Sequence, residues 1–278
     1  MNVGFIGTGN MGTALLKGYA AANPGLLDNI YAFDKDKARL KAVAKELGIH
    51  GCHDAVDLTV HSDILILAVK PNVFHEALAE IIPSMEFENK VIVSIAAGIS
   101  IEYIEAQCRE LSGYKDKKRP FCCKVIRVMP NTPALVGKGM SALCRNSKVT
   151  DAEFKTVLDI FTSVGKAEEV EEKLMDCVTG VSGSSPAYVY LFIEALADGA
   201  VLQGMNRKQA YDFAAQSVLG SAEMVLKTGV HPGELKDMVC SPGGTTIEAV
   251  QVLEKNGFRN SVIEAVKAAS DKSKTITK

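Results

Sequence analysis

Gly7-Thr8-Gly9-Asn10-Met11-Gly12 follows an apolar run and opens a stretch of helical periodicity. In that setting the first glycine permits a tight turn and the second lets the backbone approach a pyrophosphate. The third lets helix and strand pack closely. The phosphates then rest on amides at the helix start, where the dipole favours an anion. A Gly-rich turn can also be merely structural, and context separates the two. Here a strand precedes the turn, a helix follows, and a second strand ends at Asp34, 22 residues beyond Gly12. An acid at that point accepts hydrogen bonds from the adenosine ribose and repels a 2′-phosphate, which favours NADH over NADPH. Lys35, Lys37 and Arg39 follow directly. Turned inward they neutralise a phosphate; turned outward they are a solvated helix face.

Further strand ends carry turn residues. Ala68-Val69-Lys70-Pro71 closes one, with Pro71 fixing the chain direction and Lys70 near the point where strand order reverses. Ser94-Ile95-Ala96-Ala97-Gly98 closes the next with small residues that suit a backbone passing close to a nicotinamide ribose. Val128-Met129-Pro130-Asn131-Thr132-Pro133 closes a third. The expected cofactor contacts are therefore Gly7, Gly9, Asn10, Met11, Gly12, Asp34, Ala68, Val69, Lys70, Pro71, Ala96, Ala97 and Gly98.

The second half holds Ser241-Pro242-Gly243-Gly244-Thr245-Thr246. A tight loop there starts a helix, and free amides of Gly244, Thr245 and Thr246 would converge on one anion, such as a substrate carboxylate. The plainer reading is an ordinary helix start capped by Thr245 or Thr246. Ser182 and Ser184, before Pro186, are either site lining or caps. The five histidines have no evident carboxylate partner, and no HExxH, GxSxG or Walker-type motif is present. Reducing a ketone needs a strong proton donor, whereas a protonated C=N is already electrophilic. The missing acid therefore favours C=N reduction over C=O reduction.

These residues need a scaffold. Apolar runs at residues 2–6, 30–33, 64–69, 90–95, 125–129 and 140–144 read as buried strands. Helical periodicity lies between them at 12–22, 37–47, 72–82 and 101–111, with another helix at 151–163. The alternation predicts an α/β fold: an N-terminal, Rossmann-type, doubly wound and mostly parallel sheet over residues 1–165. After residue 165 the strand signal disappears, and 166–278 reads as an all-helical domain for substrate binding and dimerisation, with helices at 174–204, 206–229 and 246–256. Residues 182–202 are apolar on more than one face, so the helix is either central in a large core or buried by another chain; a helical domain of this size buries it only in part, which favours a dimer.

Composition sets limits. Hydrophobic residues make up 47% and charged residues 23%, ordinary for a folded globular chain. The net charge of −2 argues against nucleic acid or an anionic membrane as partner. Consecutive apolar runs are too short to span a bilayer, and the N-terminus lacks the pattern of a signal peptide. Seven cysteines without a CxxC read as reduced, cytoplasmic thiols; adjacent Cys122 and Cys123 allow a metal or redox role, against which stands simple burial. No metal site is expected. Residues 114–119 and 168–172 read as solvated basic and acidic surface.

The segments GFIGTGNMG, AVKP, SIAAG, RVMPNTP, VTGVSGSSPAYVY, ALADGAVLQGM and HPGELKDMVCSPGGTT mark the chain from Val3 to about Ala268. Together with Gly257-Phe258-Arg259 they resemble the pyrroline-5-carboxylate reductase family. The resemblance implies NAD(P)H-dependent reduction of 1-pyrroline-5-carboxylate to L-proline, the last step of proline biosynthesis. It implies an interlocked homodimer, often assembled into larger rings. It places the substrate on Ser241, Gly244, Thr245 and Thr246, with the Thr246 hydroxyl as the catalytic group near the imine nitrogen. Two positions depart from the family pattern. Asp34 stands where many members carry a small residue suited to NADPH, and Ser185 where glycine is more usual. A 3-hydroxyacid dehydrogenase of similar plan would need a lysine in 177–202, and none is there. A redox-sensing NAD(H)-binding regulator is the non-enzyme alternative.

Overall fold

The computed structural model describes residues 1–87, 89–115 and 121–276. The first unit alternates strand and helix: Val3–Ile6 (β1), Asn10–Ala22 (α1), Ile30–Phe33 (β2), Lys37–Leu47 (α2), His50–Gly51 (β3), Ala55–His61 (α3), Ile64–Leu67 (β4), Phe74–Ile81 (α4), Val91–Ser94 (β5) and Ile101–Leu111 (α5). Lys124–Met129 (β6), Gly139–Arg145 (β7), Asp151–Thr162 (α6) and Gly165–Glu169 (β8) complete the sheet. Its order is β3-β2-β1-β4-β5-β6-β7-β8, parallel except for the antiparallel β6–β7 pair. The order reverses between β1 and β4, which opens a crevice at the carboxyl ends of those strands.

Period-two alternation builds both faces. In β4, Ile64 and Ile66 join one core with Val3, Phe5 and Val93, while Leu65 and Leu67 join the other with Ile6 and Ile92. Helices cover each face, so the strands are apolar throughout rather than alternating.

Two strands escaped the sequence reading. β3 has two exposed residues. β8, Gly-Lys-Ala-Glu-Glu, is polar because it lies at the sheet edge and pairs with β7 alone. Its Glu168 and Glu169 fall in the stretch read as acidic surface, and both are exposed. Strand structure thus continues past residue 165, to Glu169, although its sequence signal does not. The basic loop read at 114–119 falls, over 116–119, outside the described residues.

Met175–Val178 (α7) and a π-helical turn at Thr179–Gly183 follow β8. Chain packing defines two compact units, Met1–Gly183 joined by the segment from Ala269, and Ser184–Ala268. The change therefore lies at 183/184 rather than 165/166, because β8 hydrogen-bonds into the sheet and Met175 sits in its core.

The second unit contains Ser185–Leu202 (α8), Arg207–Thr228 (α9), Pro232–Val239 (α10), Thr245–Lys255 (α11) and most of Phe258–Ile276 (α12). Its own core is small: Ala197, Ala210 and Ala214 are buried, with Ile193, Val201 and Met205 packed against them. Tyr188 Oη donates to Ala265 O at 3.4 Å, tying α8 to α12. The helical stretch Glu172–Leu202 spans 31 residues and is long and apolar enough, by length and composition, to cross a membrane; only 11% of its apolar window is buried. Counting consecutive apolar residues overlooks it, because a helix spreads its apolar positions among small and polar ones.

Candidate active site

β1 delivers the chain into the glycine turn. Gly7 has φ +103°, and a Cβ there would stand 2.6 Å from Ala68 O. Its amide donates to Phe33 O at 2.8 Å, so the turn is stitched to β2. Gly12 lies in the first turn of α1, where a Cβ would come within 2.1 Å of Gly7 O. Gly9 differs: nothing lies within 4 Å of its Cβ position. It is the N-cap of α1, with no side chain capping the helix; the first intrahelical bond runs from Thr13 N to Gly9 O at 2.8 Å. The amides of Asn10, Met11 and Gly12 precede that bond and have no intrahelical acceptor, and the space beside Gly9 is open. This cradle fits a pyrophosphate.

Besides an opening of about 590 Å³ lined by Thr8, Gly9, Asn10, Thr13 and Arg39 among others, two adjoining openings flank the cradle. One, about 280 Å³, is lined by Asp34, Lys35, Arg39, Val69 and Lys70 among others. The other, about 460 Å³, is lined by Gly9, Asn10, Met11, Ala68, Val69, Lys70, Pro71, Ala96 and Ala97, with Met129 and Pro130. Of the expected contacts, Gly12 and Gly98 lie outside these linings. Gly12 serves the helix–strand approach, and the Cβ position of Gly98 (φ +71°) is 3.0 Å from Ile276 O. Arg39, Met129 and Pro130 are lining residues absent from the expected contacts.

Asp34 is engaged on both oxygens. Oδ2 accepts from Thr8 N at 2.6 Å and from Thr8 Oγ1 at 2.9 Å; Oδ1 accepts from Asp36 N at 2.8 Å. Arg39 Nη2 lies 3.6 Å from Oδ1 and 3.2 Å from Asp36 Oδ2. Burial works to raise the Asp34 pKa, but the Asp36 and Thr8 hydrogen bonds, with Arg39, hold it below the usual carboxylate range. The neighbouring cations divide. Lys37 turns away, donating to His53 O and lying 4.8 Å over the Phe33 ring. Lys35 pairs with Glu76 at the rim, and Arg39 faces both openings.

The turns beyond β5 and β6 are fixed by side chains. Buried Ser94 Oγ accepts from Ala96 N at 3.3 Å. Asn131 Oδ1 accepts from Met140 N at 2.8 Å, and its Nδ2 donates to Ser182 O at 3.0 Å. Asn131 thus binds the end of β6 to β7 and to the π-helical turn. Ser182 Oγ donates to Val178 O at 3.2 Å, and Ser184 makes no side-chain cap to α8, so neither serine acts as a cap. Ser185 is the first residue of α8.

In the helical unit, Gly243 (φ +65°) makes the turn and Gly244 is the N-cap of α11. Thr245 and Thr246 are the first two helical residues, so neither is the cap. The Gly244 amide donates to Ser241 O at 3.0 Å and is therefore not part of a free cradle. The first intrahelical bond comes from Glu248 N to Gly244 O at 3.5 Å. The amides of Thr245, Thr246 and Ile247 are the ones left to meet an anion. Thr245 is exposed and Thr246 half-buried.

Histidines stand apart. His231 is exposed, just before α10: its Nδ1 accepts from Gly233 N at 3.1 Å and caps the helix. His53 and His61 do have carboxylate neighbours, Asp54 at 3.3 Å and Asp57 at 3.4 Å, but these are local pairs on exposed helix ends. Cys123 is buried and shares a hydrogen bond with Cys108, which together with burial pushes the Cys108 thiol up. Among the described residues no group of three or more His, Cys, Asp or Glu could hold a metal ion.

Residues 172–276 match the family described as pyrroline-5-carboxylate reductase dimerisation, and residues 2–98 match NADP oxidoreductase coenzyme F420-dependent. The chain is 48% identical to the pyrroline-5-carboxylate reductase of Escherichia coli (strain K12), over 99% of this chain and 98% of that one. Among solved structures, the Plasmodium falciparum pyrroline carboxylate reductase with NADP bound is 37% identical with a TM-score of 0.83, covering 100% of this chain and 98% of that one. The Coxiella burnetii pyrroline-5-carboxylate reductase is 30% identical with a TM-score of 0.89, at the same coverage. A nicotinamide-binding sheet unit and a dimerising helical unit thus occur in one oxidoreductase chain. With its whole length matched, the chain belongs to the pyrroline-5-carboxylate reductase family.

Proposed function

We propose that this chain reduces the C=N bond of 1-pyrroline-5-carboxylate to give L-proline, with NADH preferred over NADPH. The observation that carries the reading is the start of α11, where the amides of Thr245, Thr246 and Ile247 follow an N-cap glycine with no capping side chain. They suit the substrate carboxylate, and the Thr246 hydroxyl on the same turn suits the ring nitrogen. The bound nicotinamide supplies a hydride. Gly9 and the amides of Asn10, Met11 and Gly12 would hold its pyrophosphate, and Ala96 and Ala97 would leave room beside the ribose. The substrate arrives as the protonated iminium, so the carbon gains hydride and the nitrogen keeps its proton. Thr246 Oγ1 accepts from that N–H and orients it. No strong general acid is needed.

Asp34 supports the NADH preference: its carboxyl is held below the usual range and lines an opening that would take the adenosine ribose. The Plasmodium falciparum relative carries bound NADP, which argues the other way for that protein. Arg39, at the same opening, leaves NADPH usable at lower efficiency. The family resemblance further implies that dimers assemble into a larger ring. All seven cysteines are unpaired, which supports a cytoplasmic enzyme.

Absorbance at 340 nm tests the reading. Purified protein with 1-pyrroline-5-carboxylate should oxidise NADH, with a higher kcat/KM than for NADPH. Tight NADH binding without turnover would instead identify a sensor. Equal or greater efficiency with NADPH would overturn the cofactor preference alone.

A further inference from the structure

We propose that Thr8 determines cofactor specificity without touching the cofactor, by pinning the Asp34 carboxylate so that it cannot swing away from a 2′-phosphate. The inference rests on the NADH preference proposed above.

Thr8 is only 1% exposed, and its hydroxyl is taken up by the Asp34 carboxylate rather than left open to the crevice. The hydroxyl donates to Asp34 Oδ2 at 2.9 Å, and the amide of the same residue donates to the same oxygen at 2.6 Å. Thr8 is itself held from behind, since its carbonyl accepts from Thr13 Oγ1 at 2.8 Å. The other carboxylate oxygen accepts from Asp36 N at 2.8 Å.

An aspartate at a strand end has staggered χ1 wells to choose from. Rotating into another well is the cheap response to an approaching 2′-phosphate. In this chain the rotation breaks three hydrogen bonds and leaves a buried hydroxyl and a buried amide without their acceptor. The charge therefore stays where it repels. Arg39 does not cancel it, because its Nη2 lies closer to Asp36 (3.2 Å) than to Asp34 (3.6 Å). Thr8 belongs to the glycine turn itself, so one residue shapes the pyrophosphate cradle and sets the discrimination at the far end of the adenosine.

The test is steady-state kinetics of the full chain with NADH and NADPH on 1-pyrroline-5-carboxylate, for wild type, Thr8→Val, Thr8→Ala, Thr8→Ser and Asp34→Asn. Thermal melts confirm folding, and Thr8→Ala, which is smaller, stands in should Thr8→Val fail to fold. Thr8→Val and Thr8→Ala should lower the NADH-to-NADPH ratio of kcat/KM by roughly three- to tenfold, chiefly through a lower KM for NADPH. Thr8→Ser keeps the hydroxyl and should restore the wild-type ratio. In the double variant Thr8→Val/Asp34→Asn, the threonine change should add nothing to the ratio. A merely structural threonine would lower both efficiencies alike with the ratio unchanged, and that result overturns the inference. If Asp34→Asn shifts the ratio and neither Thr8→Val nor Thr8→Ala does, the inference fails while the reading of Asp34 stands. A wild-type ratio at or below one, unmoved by Asp34→Asn, overturns both.

Discussion

The sheet unit and the helical unit bury their apolar residues in opposite ways. Every residue of β4, Ile-Leu-Ile-Leu, is buried, alternating between two cores that the chain's own helices close. In α8, eighteen residues long, only Ala197 is buried, while Tyr190, Leu191 and Leu202 are 60%, 66% and 85% exposed. A sheet has two faces, and βα alternation supplies a helix layer for each. A helix that is apolar all round needs neighbours on every side, and α9 covers one. The dimerisation family matched over 172–276 accounts for the rest. The sheet unit thus closes its cores with its own helices, whereas the helical unit leaves apolar faces open that a second copy would cover, which would couple its stability to protein concentration.

The largest test of this contrast is Leu191→Asp on the exposed face of α8. A carboxylate forced into an apolar interface costs several kcal/mol. Light scattering should show monomer at micromolar concentration, turnover should fall at least a hundredfold, and NADH binding to the sheet unit should survive. A persistent, active dimer would mean that this face of α8 is not the interface.

Within the sheet unit, two glycines of one turn should behave differently. Gly12→Ala drives a methyl into the Gly7 carbonyl, at 2.1 Å, and should cost about 3 kcal/mol or more of stability along with cofactor binding. Gly9→Ala meets nothing within 4 Å, so the melting temperature should hold while NADH affinity drops about tenfold or more. Equal loss of stability in both variants would show that the space at Gly9 is not a ligand cradle.

Thr246→Val removes the hydroxyl and keeps the shape. Its kcat/KM should fall roughly ten- to a hundredfold, the equivalent of about 1.5–3 kcal/mol, with NADH affinity nearly intact. Full activity would leave the backbone amides as the sole contribution of this turn. A folded, cofactor-bound but inert Thr246→Ala would assign the hydroxyl more than orientation.

The smallest effect is in acid. Asp34 and Glu153 are both held below their ordinary pKa: against the opposing effect of burial, the Asp36 and Thr8 hydrogen bonds lower the first, and Lys124 and Thr150 lower the second. Their stabilisation is present above the unfolded carboxylate range of about pH 4 and is lost as pH falls through the lower folded values. Asp34→Asn should flatten part of the fall in melting temperature below about pH 4. An unchanged acid limb would mean that the Thr8–Asp34 contact adds no pH-dependent stability.

What could be read in the sequence was local. The runs that became β1, β4 and β5 are dense in branched apolar residues because both of their faces are covered, and the glycine turn carries its own φ requirement at Gly7. The helix over 37–47 emerged with the bounds its periodicity predicts. The Thr150–Glu153 capping box and the Pro232 helix start are also written in short-range pattern. β8 carries no such signal, since a polar edge strand looks like surface.

The tertiary structure decided which groups are free. Whether Asp34 meets the crevice through one oxygen or is tied to Thr8 depends on β2 lying beside β1. Whether Lys37 or Arg39 faces the cofactor depends on where His53 and Phe33 fall around α2. Asn131 found its role only when residue 182, 51 positions later, came within hydrogen-bond reach. Residue type and spacing fix backbone geometry over one turn or strand. The partners of a polar side chain are chosen by packing between distant segments, and that packing comes from strand order and buried area.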